Sequence, residues 1–152
     1  MQIRFDLPRS VVLFALLLAM LCGGCDDRPR RVPVAGHVTI DGKPVPAGFI
    51  RFVPAHGRAA TGQLDSEGRF QLMTYTENDG CILGSHSVEV IATRAPTPTS
   101  IEYLVPKKYQ QSATSGLTVV IAKPELNLPI ELTWSGEKPV VEVSVSEGDV
   151  AP

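Results

Sequence analysis

From residue 34 onward, apolar and polar side chains alternate with a period of two, and no stretch shows a competing helical period. This pattern predicts strands that turn one face toward a core. The segments Asp41-Gly42 and Asp65-Ser66-Glu67-Gly68 have the composition of tight turns, so they are expected to join neighbouring strands. Seven short strands separated by such turns predict an all-β fold, an antiparallel β-sandwich.

The alternation also defines which side chains are expected to face the core. These are Val34, Gly36, Val38 and Ile40; Ile50 and Phe52; Phe70 and Leu72; Val88, Val90 and Ala92; Leu117, Val119 and Ile121; and Leu126, Leu128, Ile130, Leu132 and Trp134. A further strand is expected from Ala60 to Leu64. Val141, Val143 and Val145 indicate an eighth strand at an edge. Full burial of each large apolar side chain contributes about 1.5 to 3 kcal/mol, so this core suffices for a small domain without disulfides.

The N-terminal residues have the organisation of an export signal. Arg4 and Arg9 precede an apolar run over 11–22, which is shorter than the roughly 20 residues that cross a membrane. The Gly23-Gly24-Cys25 segment that follows resembles the lipobox of bacterial lipoproteins. The resemblance implies that Cys25 is thioether-linked to diacylglycerol, becomes the mature N-terminus and is usually N-acylated. Secretion without lipid is the alternative.

The chain is therefore expected to have four parts. Residues 1–24 are the lipoprotein signal peptide, 25–33 a charged, proline-containing tether, 34–134 the sandwich, and 135–152 an edge strand or tail. The arginines of the tether are expected to be solvated, with contact to anionic lipid as the alternative.

Composition limits the function of the mature chain. Removal of residues 1–24 takes away two arginines and one aspartate and leaves 128 residues, with 12 basic and 15 acidic side chains and a net charge of −3. This length suits one domain. Without a basic excess, nucleic-acid binding has no electrostatic basis. Only Cys81 stays outside the signal and the lipid site, so no intramolecular disulfide is expected.

Several motifs resemble carboxypeptidase regulatory-like domains. They are Val34-Ala35-Gly36-His37-Val38-Thr39-Ile40-Asp41-Gly42-Lys43-Pro44-Val45-Pro46, then Ile50-Arg51-Phe52-Val53-Pro54, then Asp65-Ser66-Glu67-Gly68-Arg69-Phe70, and Gly84-Ser85-His86-Ser87-Val88-Glu89-Val90. In the last motif His86 stands where the family has an aromatic residue. Lipoproteins with this domain also tend to carry segments like Val105 to Tyr109 and Thr114 to Val119. The resemblance implies a transthyretin-like (prealbumin-like) sandwich and no catalysis.

Metal binding is not predicted, although related sandwiches include dioxygenases that bind iron through tyrosine and histidine. His37, His56 and His86 are far apart in the sequence, and no carboxylate lies at ligand spacing beside them. We interpret His37 and His86 as outward-facing surface residues. Asp65 and Glu67 supply too few oxygen ligands for a calcium loop, so turn chemistry explains them better.

A catalytic nucleophile is not predicted either. Cys81 follows Glu77 and Asp79, whose charges oppose formation of a thiolate, so we interpret it as a loop or half-buried residue. No serine lies in a Gly-x-Ser-x-Gly motif. No cofactor is expected.

Residues 95–114 form the longest stretch without alternation, and they contain a basic-aromatic cluster, Tyr103, Lys107, Lys108 and Tyr109. In one interpretation this segment packs across an open edge of the sandwich. In the other, the cluster is exposed and contacts a partner. We favour packing, because prolines stiffen the approach to the cluster and Leu104-Val105 is apolar.

The function expected from the sequence is that of a lipid-anchored, non-enzymatic β-sandwich on the extracytoplasmic side of a bacterial membrane, with a binding or structural role in the cell envelope. Its partners would be the membrane and an unidentified envelope protein or polysaccharide. The alternative is a carbohydrate-binding or carbohydrate-processing accessory module, because sandwiches present loops to glycans. Trp134 shares the parity of Leu132 and Ile130, so it is expected in the core.

Overall fold

The computed structural model describes residues 28–137 and 139–143, which are mostly β-structure. The strands are β1 (Arg31–Val32), β2 (Val34–Ile40), β3 (Lys43–Pro44), β4 (Gly48–Pro54), β5 (Ala60–Leu64), β6 (Arg69–Gln71), β7 (Cys81–Ile82), β8 (Gly84–Ile91), β9 (Thr93–Thr97), β10 (Ser100–Tyr103), β11 (Thr118–Ile121), β12 (Glu125–Leu132) and β13 (Val141–Val143). A 3₁₀ helix (Lys107–Gln110) and a short α-helix (Ser112–Ser115) precede β11.

The expected all-β class is confirmed. In the part of the chain that the structure describes, no helix has the length and apolar character to cross a bilayer. The segment predicted to be a signal peptide, residues 1–24, and Cys25 lie outside the described residues.

One four-stranded sheet has the order β11-β8-β4-β5 and is antiparallel throughout. Its buried side chains include Ile50 and Phe52 from β4 and Val88 and Val90 from β8, as the alternation predicted. The Phe52 ring lies 6.2 Å from the ring of Phe70, which belongs to a different sheet. The two sheets therefore contribute to the same core.

The other four-stranded sheet is built around β2, which pairs with β12, β3 and β6. The β2–β12 pair is parallel, so the expectation of a purely antiparallel fold is wrong at this place. Alternation defines which face of a strand is buried, but it contains no information about strand direction. The chain reaches the parallel arrangement by crossing from the first sheet, at β11, to the second, at β12.

A register shift between Glu125 and Leu128 changes the expected faces of β12. Leu126, which was expected inside, is 68% exposed, whereas Ile130 and Leu132 are buried and Leu128 is partly buried. An irregularity in strand pairing, such as a β-bulge, changes which face of the sheet the side chains on one side of the irregularity occupy. The prediction for Leu126 is wrong for this reason, and its side chain points toward the outer face of the sheet.

Both predicted turns are present. Asp41 and Gly42 have φ values of 46° and 77° and join β2 to β3, which is the geometry of a two-residue hairpin turn. In the second turn the Gly68 N–H donates to the Asp65 carbonyl oxygen over 2.9 Å. Turn chemistry is therefore confirmed at both positions.

A single cluster of buried side chains forms the core. It contains Val32, Val34, Val38, Ile40, Val45, Ile50, Phe52, Ala60, Leu64, Phe70, Leu72, Cys81, Val88, Val90, Ala92, Val105, Tyr109, Ile121, Ile130 and Leu132, with Leu83, Leu104, Leu117, Val119, Leu128 and Trp134 partly buried against it. Nearly all expected core positions belong to this cluster. Trp134 is at its margin.

Residues 95–114 are more regular than the sequence indicated. Strands β9 and β10 form an antiparallel hairpin, and β13 pairs with β10 on the other side. The expected eighth strand is present at an edge as Val141–Val143, and residue 145 lies outside the described residues. Strand β9 escaped prediction because all five of its residues are exposed, so it carries no apolar alternation.

The expected tether over 25–33 ends earlier than predicted. Arg31 and Val32 form β1 and pair with Ile82 and Cys81 of β7. Val32 is buried, and the Glu125 N–H donates to the Pro33 carbonyl oxygen over 3.0 Å. Residues 31 and 32 are therefore paired strand and not tether.

Candidate functional site

A cleft with a volume of about 510 Å³ lies on the outer face of the sheet around β2. Its lining residues are Ala35, Gly36, His37, Thr39, Gly42, Pro44, Glu67, Arg69, Phe70, Leu126 and Asn127. An adjoining cleft of about 340 Å³ shares Ala35, Arg69 and Phe70 with it. We call the two together the β2 cleft. Charged, amide and imidazole groups border an apolar floor there.

Strand alternation and the register shift in β12 build this cleft. Ala35, His37 and Thr39 are the outward residues of β2, since the residues between them are buried. Arg69 of β6 lies directly across from His37, so both side chains are on the same face. The register shift brings Leu126 and Asn127 to the opposite wall. Apart from the turn residues, the residues that line the cleft belong to strands of the sheet.

Asp65, Glu67 and Arg69 form a charged network at the rim of the β2 cleft. Arg69 Nε lies 2.9 Å from Asp65 Oδ2, and Arg69 Nη1 lies 2.8 Å from Glu67 Oε2. Asp65 Oδ1 also accepts the backbone N–H groups of Glu67 and Arg69, each over 2.9 Å. The hydrogen bond from the Arg69 side chain is the main reason why the pKa of Asp65 is lowered. The same bond raises the pKa of Arg69, so both groups stay charged at neutral pH.

The three histidines are in different environments. His37 is half-buried and lines the β2 cleft, and His56 is exposed in the loop after β4. The prediction that His86 faces outward is wrong, because it is 1% exposed and its ring lies 5.9 Å from the ring of Phe52. His86 shares strand parity with Val88, and attention to this parity would have found it in the core. Within residues 28–137 and 139–143, no three side chains of the metal-binding types form a group that could hold an ion.

Cys81 and His86 form a buried pair that sequence reasoning missed. The Cys81 Sγ lies 3.5 Å from His86 Nε2, and Nε2 lies 2.7 Å from the carbonyl oxygen of Ile82. A carbonyl only accepts, so this geometry places the imidazole proton on Nε2. Burial raises the pKa of the Cys81 thiol to about 11. The Nε2 atom nearest to the sulfur therefore carries a proton and cannot accept the thiol proton, so Cys81 is not an activated nucleophile.

The expected partner-contact residues Tyr103 and Lys107 belong to a network with the C-terminal strand. Lys107 Nζ forms an ion pair with Glu142 of β13 and lies 4.5 Å from the centre of the Tyr103 ring. The Tyr103 hydroxyl donates to Glu142 Oε2 over 3.0 Å. The hydrogen bond with Glu142 raises the pKa of Lys107. These contacts hold β13 against the segment.

Lys108 and Tyr109, the other two residues of this cluster, contact the end of β12. Tyr109 is 5% exposed, and its hydroxyl donates to the Thr133 carbonyl oxygen and accepts the Thr133 N–H, each over 3.3 Å. Lys108 Nζ lies 4.9 Å from the centre of the Tyr109 ring and 3.4 Å from Ser135 Oγ. The burial of Tyr109 and Val105 agrees with the packing interpretation.

Comparisons of this chain with protein-family models, with curated proteins and with solved structures find no match.

Replacement of Tyr109 by alanine is expected to lower the free energy of unfolding by about 3 to 5 kcal/mol, because a buried ring and its two hydrogen bonds are lost. The double change Lys107→Ala, Lys108→Ala is the control and is expected to be nearly neutral, since exposed ion pairs contribute about 0 to 1 kcal/mol. Urea unfolding measures both. Equal losses would contradict the packing interpretation.

The raised pKa of Cys81 predicts a loss of stability at high pH. The unfolded thiol titrates near its ordinary value of 9.0 and the folded thiol at about 11, so the folded state keeps a proton that the unfolded chain loses. The contribution of the thiol to stability is fully present well below pH 9 and is lost, by up to about 3 kcal/mol, as the pH rises through 11. Urea unfolding across this interval, compared with Cys81→Ala, isolates the thiol. Parallel pH profiles for the two proteins would disprove the prediction.

Proposed function

We propose that this protein is a lipid-anchored, non-enzymatic β-sandwich module of the cell envelope that binds a partner in the β2 cleft. The observation that carries the proposal is the charged network of Asp65, Glu67 and Arg69 at the rim of this cleft. Its groups are fixed on a hairpin of the folded sheet before any ligand arrives. Preorganisation of this kind reduces the entropy cost of binding.

The charges at the rim support binding rather than catalysis. Acid–base catalysis works best with a pKa near the working pH. The pKa of Asp65 is lowered and that of Arg69 is raised, so both move away from neutrality. The buried Cys81 thiol, with a pKa of about 11, would be a poor nucleophile. The charged groups of Asp65 and Arg69 at the rim therefore suit recognition of a polar ligand.

The proposed anchor is Cys25, on the strength of the Gly23-Gly24-Cys25 segment after the apolar run. Few residues separate it from β1, so an acylated chain would hold the domain beside the bilayer on the extracytoplasmic side. A single acyl chain binds membranes reversibly, whereas two or more anchor stably.

A transthyretin-like sandwich of the carboxypeptidase regulatory-like type is the fold we propose at the finer level. The Asp41-Gly42 hairpin, the Asp65–Gly68 turn and the shared core of the two sheets support it. The resemblance of the first motifs to that family is consistent with this arrangement.

A carbohydrate ligand is the alternative to an envelope protein. Sugars present hydroxyl groups at their edges and C–H groups on their faces. In the β2 cleft, Asn127, Thr39 and Arg69 offer hydrogen-bonding groups beside the exposed, apolar Leu126. A glycan screen therefore belongs among the first binding experiments.

Intact mass spectrometry of the protein extracted from membranes tests the anchor. We expect a mature chain that begins at Cys25 and carries the added mass of diacylglycerol with or without an N-acyl chain. Cys25→Ala is expected to abolish the added mass and prevent stable anchoring of the mature chain. The matched control is Cys22→Ala, which keeps the mature N-terminus unchanged. An unmodified mature N-terminus in the wild-type protein would refute the proposed anchor.

Arg69→Ala tests the β2 cleft. Loss of a hydrogen bond from a charged group costs about 1.5 to 3 kcal/mol, so we expect affinity for the cleft ligand to fall by at least tenfold. The ligand is identified by capture of envelope proteins on the immobilised domain and by a screen of envelope polysaccharides. Titration of the purified protein with that ligand then measures the affinity. Arg94→Ala is the matched control, because Arg94 is also exposed and paired with a carboxylate, but lies outside the cleft. If Arg69→Ala and Arg94→Ala changed the affinity for the ligand equally, the β2 cleft would be excluded as the binding site.

A further inference from the structure

Arginines from two separate segments converge on one tyrosine near the start of the folded domain. The guanidinium carbons of Arg28, Arg31 and Arg58 lie 5.1, 4.8 and 5.5 Å from the centre of the Tyr75 ring. Arg30, between the first two, is exposed. We call Arg28, Arg30, Arg31 and Arg58, with Tyr75, the arginine surface. Like charges gathered in this way repel one another unless anions lie nearby.

One arginine of the arginine surface forms an ion pair with Asp79. Asp79 Oδ2 lies 3.0 Å from Arg31 Nε, and the Asp79 carboxylate also accepts backbone N–H groups of the segment that carries Tyr75. Burial raises the pKa of Asp79, but these hydrogen bonds outweigh it, and the pKa stays below its ordinary value. Glu77 is exposed in the same loop.

Two exposed arginines of the arginine surface, Arg30 and Arg58, are positioned to bind an external anion. Asp26 and Asp27 precede the described residues. Among residues 28–137 and 139–143, Arg30 and Arg58 have no ion pair with a carboxylate. Their side chains are exposed and can turn toward an external anion.

The position of the arginine surface in the chain indicates which anion it meets. The β1–β7 pair fixes Arg31 to the domain, and only three residue steps separate Arg28 from Cys25. Three extended residues span at most about 11 Å. This distance is close to the Debye length of about 8 to 10 Å at physiological ionic strength. In a chain anchored at Cys25, the arginine surface therefore lies within electrostatic reach of the headgroups.

We propose that the arginine surface docks on the anionic phosphate headgroups of the membrane that holds the anchor, and so gives the domain a fixed orientation. This inference rests on the proposed lipid anchor at Cys25. Guanidinium groups bind phosphate through paired N–H donors, and tyrosine is enriched at membrane interfaces. The mature chain has a net charge of −3, so electrostatics favour an orientation in which this surface, and not the rest of the domain, faces an anionic bilayer.

The test uses the mature protein purified from its native membranes and reconstituted in two kinds of vesicle, phosphatidylcholine alone and phosphatidylcholine mixed with phosphatidylglycerol. Flotation reports anchoring, and hydrogen–deuterium exchange at residues 56–60 and 74–78 reports docking. We expect slower exchange in the phosphatidylglycerol vesicles at low salt and loss of this difference at high salt. Each arginine near an anionic surface contributes about fivefold, or ~1 kcal/mol. The Arg30→Gln, Arg58→Gln double variant should therefore reduce the docked fraction about 25-fold relative to the undocked one.

Arg94→Gln is the matched control, since it removes an exposed arginine outside the arginine surface and should leave the difference between vesicles intact. Flotation with both vesicles but equal exchange in both would overturn the docking inference and leave the anchor standing. Binding only to phosphatidylglycerol vesicles would support docking and refute the anchor. Slower exchange caused by inorganic phosphate on phosphatidylcholine vesicles, at matched ionic strength, would overturn docking in favour of a soluble phosphate site.

Discussion

The close approach of β12 to β2 at Gly36 is the constraint on which this fold most depends. A Cβ atom on Gly36 would lie 2.0 Å from the Leu128 carbonyl oxygen and 2.9 Å from the Phe70 ring, so no larger residue fits without a shift of the backbone. Because glycine stands there, β2 accepts a parallel strand on one side and an antiparallel one on the other. The second sheet, its contribution to the core and the floor of the β2 cleft all follow from this contact.

The cleft and the core are two sides of the same strand. Val34 and Val38 turn inward from β2 while Ala35, His37 and Thr39 turn outward, so the residues that stabilise the domain also fix the positions of the residues that line the cleft. Binding groups carried on a packed sheet move less than groups on a free loop. Recognition by a rigid surface of this kind depends on which groups are displayed and on their spacing.

Alternation predicted the faces of the strands well and their pairing poorly. Most buried positions were correct, because burial of one face imposes a period of two regardless of topology. The parallel β2–β12 pair and the outward Leu126 were missed, since strand direction and a register shift leave no trace in a hydrophobic pattern. Strand β9 was missed because both of its faces are exposed. The β2 cleft escaped for a related reason, as its walls come from β2, β6 and β12, which are distant in the sequence.

The burial of Cys81 determines whether two copies of this domain can form a disulfide through it. Thiol–disulfide exchange requires a thiolate that can reach another sulfur. With its sulfur enclosed in the core and a pKa of about 11, Cys81 meets neither requirement while the domain is folded. Oxidants therefore cannot join two folded copies of this domain through Cys81, and unfolding is the step that would expose the chain to covalent cross-linking.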